Sequence, residues 1–270
     1  MPVPEGPEAV RELFGSHADR YDARHYGSRY RTFIGDRQHL VAQVLGSLKL
    51  PVGARVLDVA CGPGHFLHAA VSAGAVAVGV DRSRDMLRTS AARLGAKARL
   101  VEGDAVALPF DSSSFDVLNC SGLIEYFPEP MPMLREFHRV LRPGGRAMIS
   151  STNRRSPALA LDALIEAARR SGLFRRLVRG FGIPLDDVSL QARRFRMTFH
   201  TPRGLSDQLS EAGFQDVEMR YCHLQLFPHP LDHVVPAVTT ALVRATDRLL
   251  TLRPWQALAE GLVAVGRRPE

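Results

Sequence analysis

Cysteine is scarce in this chain of 270 residues. The three cysteines, Cys61, Cys120 and Cys222, are an odd number and lie in or near predicted strands, without the spacing of a zinc site or a disulfide framework. This pattern is typical of a reduced, cytoplasmic protein with no structural metal.

Long apolar runs are also missing. No window reaches the roughly 18 apolar residues that a membrane-spanning helix needs. The first residues, MPVPEGPEAVRELFG, do not combine a basic region with an apolar stretch, as a signal peptide would. We therefore expect a soluble protein without a transmembrane segment, long enough for one catalytic unit with an elaborated cap.

Lysine is nearly absent, because Lys49 and Lys97 are the only two and the other 33 basic residues are arginine. The net charge of +7 would ordinarily suggest a nucleic-acid partner. No stripe of alternating basic and aromatic residues accompanies that charge, so a solvated basic surface is the favoured interpretation and no nucleic-acid partner is predicted.

The most informative segment that is present reads VLDVACGPGHF, from Val56 to Phe66. An apolar strand pattern runs into a glycine-bearing turn and then into an alanine-rich helix pattern. Glycines allow a sharp turn and close approach of the backbone to a ligand, and free N–H groups at a helix start favour polar or anionic groups. A second apolar run ends in Asp81, where an acid at a strand tip can accept hydrogen bonds from ribose hydroxyls.

Strand and helix patterns alternate along the first half of the chain, which predicts an α/β fold with a parallel sheet covered by helices on both faces. Ligands of such sheets bind beyond the carboxyl ends of the strands. The predicted strands are Arg55 to Ala60, Ala75 to Asp81, Ala98 to Glu102, Phe115 to Cys120, Gly145 to Ser150, Val217 to Leu224 and Gly261 to Gly266. The predicted helices include His65 to Ala73, Ser83 to Leu94, Met131 to Leu141 and one from Thr201-Pro202 through Ala212.

Five segments in order, VLDVACGPG, VGVD, EGDAVALPF, FDVLNCSGLIEYFPEP and LRPGG, resemble the successive motifs of class I S-adenosylmethionine (SAM) dependent methyltransferases. The resemblance is to the small-molecule branch, similar to quinone-biosynthesis and bacterial secondary-metabolite enzymes, and covers about Arg11 to Ser151. It implies a Rossmann-like, seven-stranded, mostly parallel sheet with a helical cap. SAM would be the methyl donor, and S-adenosylhomocysteine (SAH) the product.

The resemblance also implies a division of the chain into four parts. Residues 1–50 would be N-terminal lid helices, 51–152 the SAM-binding core and 153–200 a helical cap insertion. Residues 201–270 would complete the core, with a helical insertion between strands six and seven. The segment Arg142-Pro143-Gly144-Gly145 is interpreted as a structural turn.

By the same resemblance, Asp58 would hold the methionine ammonium of SAM, although it could equally cap the N–H groups of the loop. Asp81 would bind the ribose, while Asp104 and Ala105 would bind adenine. Ala60 stands where the family more often has glycine. The full cofactor-binding set is predicted to be Asp58, Ala60, Cys61, Gly62, Gly64, Asp81, Arg82, Met86, Asp104, Ala105, Cys120 and Ser121.

An oxygen acceptor must lose a proton during methylation, so a side chain that can act as a general base is expected near the acceptor. His200 and His223 lie at predicted element ends near the cap, although a lone histidine is more often a core or surface residue. Tyr126 stands where many relatives have histidine and could orient the acceptor. Glu125, together with Tyr21 and Tyr30 of the lid helices, is the predicted substrate-binding set.

The insertion from Arg154 to Arg203 contains eleven arginines and four acids with interleaved apolar residues. It could meet an anionic or amphiphilic substrate or a membrane surface, or it could be a cap helix whose arginines face water. Whether the chain forms a homodimer stays open.

The leading hypothesis is a bacterial biosynthetic methyltransferase that acts on a small molecule, at a hydroxyl oxygen. Carbon or nitrogen methylation of an isoprenoid, lipid-like or acidic substrate, and a SAM-binding cyclase, remain alternatives, as does a pure binding role. The sequence NCSGLIEY disfavours an amino-methylating nucleic-acid enzyme, and VACGPGHF lacks the G-x-G-x-x-G spacing of a dehydrogenase.

Overall fold

A computed structural model of the chain describes residues 33–161, 164, 197–224, 249–250 and 252–270. Its centre is a seven-stranded sheet with the strand order β3-β2-β1-β4-β5-β7-β6. The strands are β1 (Arg55–Val59), β2 (Val76–Asp81), β3 (Ala98–Glu102), β4 (Phe115–Ser121), β5 (Leu141–Thr152), β6 (Gln215–Cys222) and β7 (Gly261–Arg267).

Strands β1 to β5 run parallel to one another, whereas β7 is antiparallel to both β5 and β6. The predicted α/β class, with a Rossmann-like and mostly parallel seven-stranded sheet, is therefore confirmed. The helices of the described residues are α1 (Phe33–Ser47), α2 (His65–Ser72), α3 (Arg84–Leu94), α4 (Met131–Val140), α5 (Pro202–Glu211) and α6 (Arg253–Gln256).

Apolar side chains alternate between the two faces of the sheet, as the two-residue period of a strand dictates. Leu57 and Leu118 pack into one buried cluster with Phe137 of α4, whereas Val56 packs into a second cluster with Phe66 of α2. Because helices cover both clusters, the central strands are buried on both faces.

Two strands begin earlier than the sequence predicts. Strand β5 begins at Leu141, so the Arg142-Pro143-Gly144-Gly145 segment lies inside the strand bounds, and the pairing register with β4 shifts there. Strand β6 begins at Gln215, and its pairing with β7 is irregular just after that residue, where Asp216 has φ 52°. Near the start of each strand, the pairing register is irregular in the manner of a β-bulge, and regular pairing resumes further along the strand.

Most of the predicted lid and cap lies outside the described residues, including Tyr21, Tyr30 and about two-thirds of the arginine-rich insertion. Helix α1 lies within residues 1–50, the part of the chain predicted to form lid helices. In the part of the chain that the structure describes, no helix has both the length and the apolar character that crossing a membrane requires.

Candidate active site

The loop after β1 has an unusual backbone. Ala60, Gly62 and Gly64 all have positive φ values, of 57°, 50° and 82°. Such values cost an L-residue with a Cβ roughly 1–2 kcal/mol, which gives a physical reason why glycine is favoured at the position of Ala60. The loop bends back at the carboxyl end of β1 and leads directly into α2, which begins at His65.

Asp81, at the tip of β2, fastens this loop to the neighbouring strand. Its Oδ2 accepts a hydrogen bond of 2.9 Å from the N–H of Gly62, and its Oδ1 accepts one of 2.8 Å from the N–H of Ser83. Burial raises the pKa of the Asp81 carboxyl, while these backbone donors work in the opposite direction. A carboxylate with each oxygen already oriented by one donor keeps further acceptor capacity for a ligand.

Gly64 allows α2 and α3 to approach each other closely. A Cβ at this position would lie 2.4 Å from Ser90 Oγ and 3.1 Å from Leu94 Cδ1. Arg93 of α3 also donates from Nε to the carbonyl of Pro63 at 2.8 Å. The loop therefore contacts α3 through Pro63 and Gly64, and it contacts the tip of β2 through the hydrogen bond from Gly62 to Asp81.

Asp58 is buried and faces β4 rather than the loop. Asn119 Nδ2 donates to Asp58 Oδ1 at 2.7 Å, and Ser121 Oγ donates to Asn119 Oδ1 at 3.0 Å. Burial raises the pKa of Asp58 to about 8, the hydrogen bond from Asn119 lowers it, and the charge of Asp81 raises it. The N–H of Gly62 in the loop donates to Asp81, whereas Asp58 accepts from Asn119, and the contact of Asp58 with the methionine ammonium stays a prediction.

We call the region bordered by the tips of β1, β2 and β4 the candidate crevice. The nearby residues Cys61, Met86, Ala105 and Cys120 all belong to the buried core. Met86 Sδ would lie 4.0 Å from a Cβ at Gly62, so the methionine packs beneath the loop. Burial, followed by the nearby carboxyl groups of Asp81 and Asp58, raises the pKa of Cys61. The thiol of Cys61 therefore remains protonated and packs as a small apolar group.

A tight turn follows β3 at the predicted adenine-binding motif. Asp104 Oδ1 accepts from the N–H of Val106 at 3.2 Å, and its carbonyl accepts from the N–H of Ala107 at 3.1 Å. Arg82, just after Asp81, places Nη1 3.7 Å from Asp104 Oδ2, with both side chains about one-third exposed. Asp104 therefore stabilises this turn, and its adenine contact stays a prediction.

On the other side of β1, the tips of β4 and β5 carry the residues predicted for the acceptor. Glu125 lies in a short 3₁₀ turn after β4 and is buried. Its carboxylate accepts from the N–H of Thr152 at the end of β5, and its carbonyl accepts from the N–H of Thr198 at 2.7 Å. Tyr126, in the same turn, is only half-buried.

His200 lies beside the end of β5, where it forms an isolated parallel bridge with Asn153. Its Nδ1 is 3.0 Å from Ser151 Oγ, and its buried Nε2 has no hydrogen-bond partner among the described residues. Burial lowers the pKa of His200, although the charge of Glu125 opposes the shift. The neutral imidazole, which can accept a proton, is thereby favoured.

His223 follows β6 in a left-handed conformation with φ 58°. Its Nδ1 is 2.7 Å from Asp36 Oδ2 of α1, and its Nε2 is 3.8 Å from Glu260 Oε2, with all three residues buried. Because each ring nitrogen faces a carboxylate, this geometry favours a structural role for His223 over proton abstraction. The same contact ties α1 to the far edge of the sheet.

Arg37 is a site residue that sequence reasoning missed. Its guanidinium lies against the tip of β4, where a Cβ at Gly122 would be 2.4 Å from Arg37 Nη2, and the arginine is only 6% exposed. The available signal was periodicity, because Arg37 falls on the same helical face as the buried Val41 and Val44. A charged residue that falls on the apolar face of a predicted helix is expected to be buried.

Comparison with known proteins agrees with this arrangement. The family described as "Methyltransferase domain" matches residues 57–149. The demethylmenaquinone methyltransferase of Staphylococcus epidermidis is 29% identical over 221 residues, which cover 79% of this chain and 88% of that protein.

Two solved structures share the fold. One is the methyltransferase in the complex with the Trm112 activator of Haloferax volcanii, with a TM-score of 0.62 and 19% identity over 97% of this chain and 98% of that one. The other is magnesium protoporphyrin IX methyltransferase of Synechocystis with bound SAH, with a TM-score of 0.58 and 16% identity over 97% and 99%. The family match, the curated relative and the sheet topology together identify the chain as a class I SAM-dependent methyltransferase.

Proposed function

We propose that this enzyme transfers the methyl group of SAM to a hydroxyl oxygen of a small-molecule acceptor in bacterial biosynthesis. The observation that carries the cofactor assignment is the fastening of the left-handed loop to Asp81 through the N–H of Gly62. That contact orients the Asp81 carboxylate beside the glycine-bearing turn, at the adjacent tips of β1 and β2. We propose that the ribose and the methionine chain of SAM bind at these tips.

The polar and charged residues present are of the types that SAM requires. The ribose would lie on Asp81, adenine on the turn at Asp104 and Ala105, and the methionine end between the tips of β1 and β4. When bound, SAM supplies an electrophilic methyl on a sulfonium. The protein's task is then to orient the acceptor, to exclude water and to remove the acceptor's proton.

His200 is the proposed base. It lies at the end of β5, next to the tip of β4, and its pKa is lowered by burial, so the imidazole is neutral at physiological pH. Ser151 Oγ, 3.0 Å from Nδ1, fixes the ring so that Nε2 is left for the acceptor proton. Glu125, held by the N–H of Thr152, would orient the acceptor from the adjacent turn.

The test of this base is the His200→Gln variant. We expect kcat to fall by roughly 10²–10⁴-fold, while SAH affinity, measured by calorimetry, stays unchanged because His200 is not part of the proposed donor site. In the wild-type enzyme, the acid limb of the rate profile should lie below the ordinary histidine pKa, and the variant should lack it. A variant with wild-type kcat would remove His200 from the mechanism.

A second candidate is methylation of a quinone-type acceptor, which the similarity to demethylmenaquinone methyltransferases favours. Incubation with methyl-labelled SAM and separate hydroxyl-bearing and demethylmenaquinone-type acceptors distinguishes the two. Label on oxygen supports the leading proposal, and label on a ring carbon supports the alternative. Acceptor conversion without label transfer would indicate a cyclase instead.

A further inference from the structure

Exposed apolar and basic side chains lie together around α6, the short helix that precedes β7. Leu252 is 52% exposed, and Trp255, the only tryptophan of the chain, is 37% exposed. The N–H of Trp255 donates to the carbonyl of Leu252 at 3.1 Å, so the two residues belong to one turn, and Arg253 between them is also exposed. Large apolar side chains that are accessible in one place indicate an interaction site.

Two more exposed arginines, Arg154 and Arg155, follow the end of β5 next to this turn. Asn153 connects the two segments, because its Nδ2 donates to the carbonyls of Ala257 at 3.3 Å and of Ala259 at 2.8 Å. The basic residues of one segment therefore lie beside the apolar residues of the other. We define the Arg–Trp surface as Arg154, Arg155, Leu252, Arg253 and Trp255.

The charges of the Arg–Trp surface have one sign. Residues 152–161 and 249–260, the two segments that contain it, include three arginines and a single acid, Glu260. Glu260 is buried, and its Oε2 lies 3.8 Å from Nε2 of the buried His223. The accessible part of these two segments is therefore basic as well as apolar.

A second copy of the chain would fit this surface poorly. In a two-fold symmetric dimer the same surface of each subunit contacts the other, so arginines would face arginines and repel. An anionic lipid surface accommodates both kinds of side chain. Tryptophan and leucine enter the boundary between headgroups and acyl chains, while arginine side chains extend to the lipid phosphates.

The Arg–Trp surface also borders the acceptor side of the site. Thr152 at the end of β5 pairs with Gly261 at the start of β7, so the turn that contains α6 lies at the carboxyl end of β5. The N–H of Arg154 donates to the carbonyl of His200 at 2.9 Å. A molecule held at the Arg–Trp surface would therefore be close to His200.

We propose that the Arg–Trp surface docks the enzyme on an anionic lipid surface. Leu252 and Trp255 lie at the boundary between headgroups and acyl chains, and the three arginines bind lipid phosphates. An amphiphilic acceptor dissolved in that lipid then reaches His200, the proposed base, from the lipid side. This last step rests on the proposed function, whereas the docking itself does not.

The test uses Trp255 as the reporter, because no other tryptophan of the chain contributes to the emission. Vesicles of phosphatidylcholine alone are compared with vesicles of equal parts phosphatidylcholine and phosphatidylglycerol. We expect the mixed vesicles to shift the emission to shorter wavelength, and brominated acyl chains to quench it. Binding to phosphatidylcholine alone should be at least about 10-fold weaker, and added salt should weaken binding to the mixed vesicles.

Changing the three arginines of the Arg–Trp surface to glutamine should weaken binding to the mixed vesicles roughly 10- to 100-fold, since each arginine near an anionic membrane contributes a factor of about five. The matched control removes the same charge four strand spacings from β5, at the β3 edge of the sheet, beyond the Debye length of about 10 Å. It should bind like the wild type. The control changes three exposed arginines, Arg84→Gln, Arg88→Gln and Arg99→Gln.

Equal loss of binding in both triple variants would overturn the inference, because net charge alone would then explain the binding. Wild-type protein that does not bind the mixed vesicles, or that binds them with Trp255 unshifted and unquenched, overturns it even if the variants fail to fold. A shift of the emission with protein concentration, in the absence of vesicles, would assign the surface to a second copy instead. Calorimetry with SAH on the same protein tests the proposed function separately, because lost docking leaves SAH binding unchanged.

Discussion

Asp58 is a buried acid that stays protonated near neutral pH, because burial raises its pKa to about 8. A positively charged ligand beside it would favour the ionised form and release a proton on binding. Before the ligand arrives, however, the protonated carboxyl lies between β1 and β4 with Asn119 as its hydrogen-bond partner. The difference in the pH dependence of stability between the wild type and a variant without this carboxyl should therefore report on Asp58.

The sign of that dependence follows from proton counting. Between about pH 4 and pH 8 the folded protein keeps a proton on Asp58 that the unfolded chain has lost, so this contribution to stability falls as pH rises. Asp58→Asn should remove a slope of at most about 1.4 kcal/mol per pH unit across that window. Urea unfolding of the ligand-free proteins at several pH values measures it.

Asp207→Asn is the control for this experiment, because Asp207 is an exposed aspartate on α5. Its stability profile should run parallel to that of the wild type. If the Asp58→Asn profile is parallel as well, the raised pKa assigned to Asp58 is incorrect.

Asp81 has two tasks at once, because it fastens the loop at Gly62 and offers oxygens to a ribose. Asp81→Ala should weaken SAH binding by roughly 1–3 kcal/mol, since the buried N–H group and the ligand hydroxyls both lose their acceptor. Asp81→Asn keeps one acceptor oxygen and should lose less. Calorimetry gives both values, and unchanged affinity in Asp81→Ala would reject the ribose assignment.

At the scale of elements, α1 is connected to the distant edge of the sheet through one buried cluster. His223 after β6 lies between Asp36 of α1 and Glu260 just before β7. Removing the imidazole leaves two buried carboxylates near each other, and breaking a buried pair costs about 3 kcal/mol or more. The cluster thus links the position of α1 to the stability of the β6–β7 pair.

His223→Leu should therefore lower the free energy of unfolding by about 3 kcal/mol or more. The double variant with Asp36→Asn should cost less than the sum of the single variants, because both changes remove the same contact. The control is His39→Leu, at an exposed histidine of α1, which should stay within about 0.5 kcal/mol of the wild type. Strict additivity in the urea unfolding series would show that the two residues are not coupled.

Element positions were predictable from local patterns where the strands are regular. The apolar runs ending at Asp58-Val59 and Asp81 predicted β1 and β2 nearly to the residue, and the glycines predicted the turn between β1 and α2. The starts of β5 and β6 were not predictable in this way. The bulges after Leu141 and at Asp216 depend on pairing with β4 and β7, which no local window contains.

At the scale of the whole molecule, the confirmed fold follows from alternating strand and helix patterns, whereas the chemistry of the crevice depends on distant residues. Asp36 and His223 are 187 positions apart, and Asn119 and Asp58 are 61 apart. Motif spacing predicted Asp81 as a site acid, but Asn119 acquires its position only when β4 pairs with β1, and Arg37 only when α1 packs against α2, β6 and β7. Contacts between residues distant in sequence therefore position side chains that the motifs alone do not predict.

The thermal stability of the folded protein should also show whether it binds SAH or the nicotinamide cofactor of a dehydrogenase with a related sheet. A ligand at 100 times its Kd stabilises the folded state by about 2.7 kcal/mol, which for a chain of this size raises Tm by roughly 5–10 °C. We expect SAH to produce this shift, and NADH to produce none because the loop after β1 lacks the G-x-G-x-x-G spacing. Differential scanning calorimetry measures both, and Asp81→Ala should need a higher SAH concentration for the same shift. Stabilisation by NADH without stabilisation by SAH would contradict the assignment of this crevice to SAM.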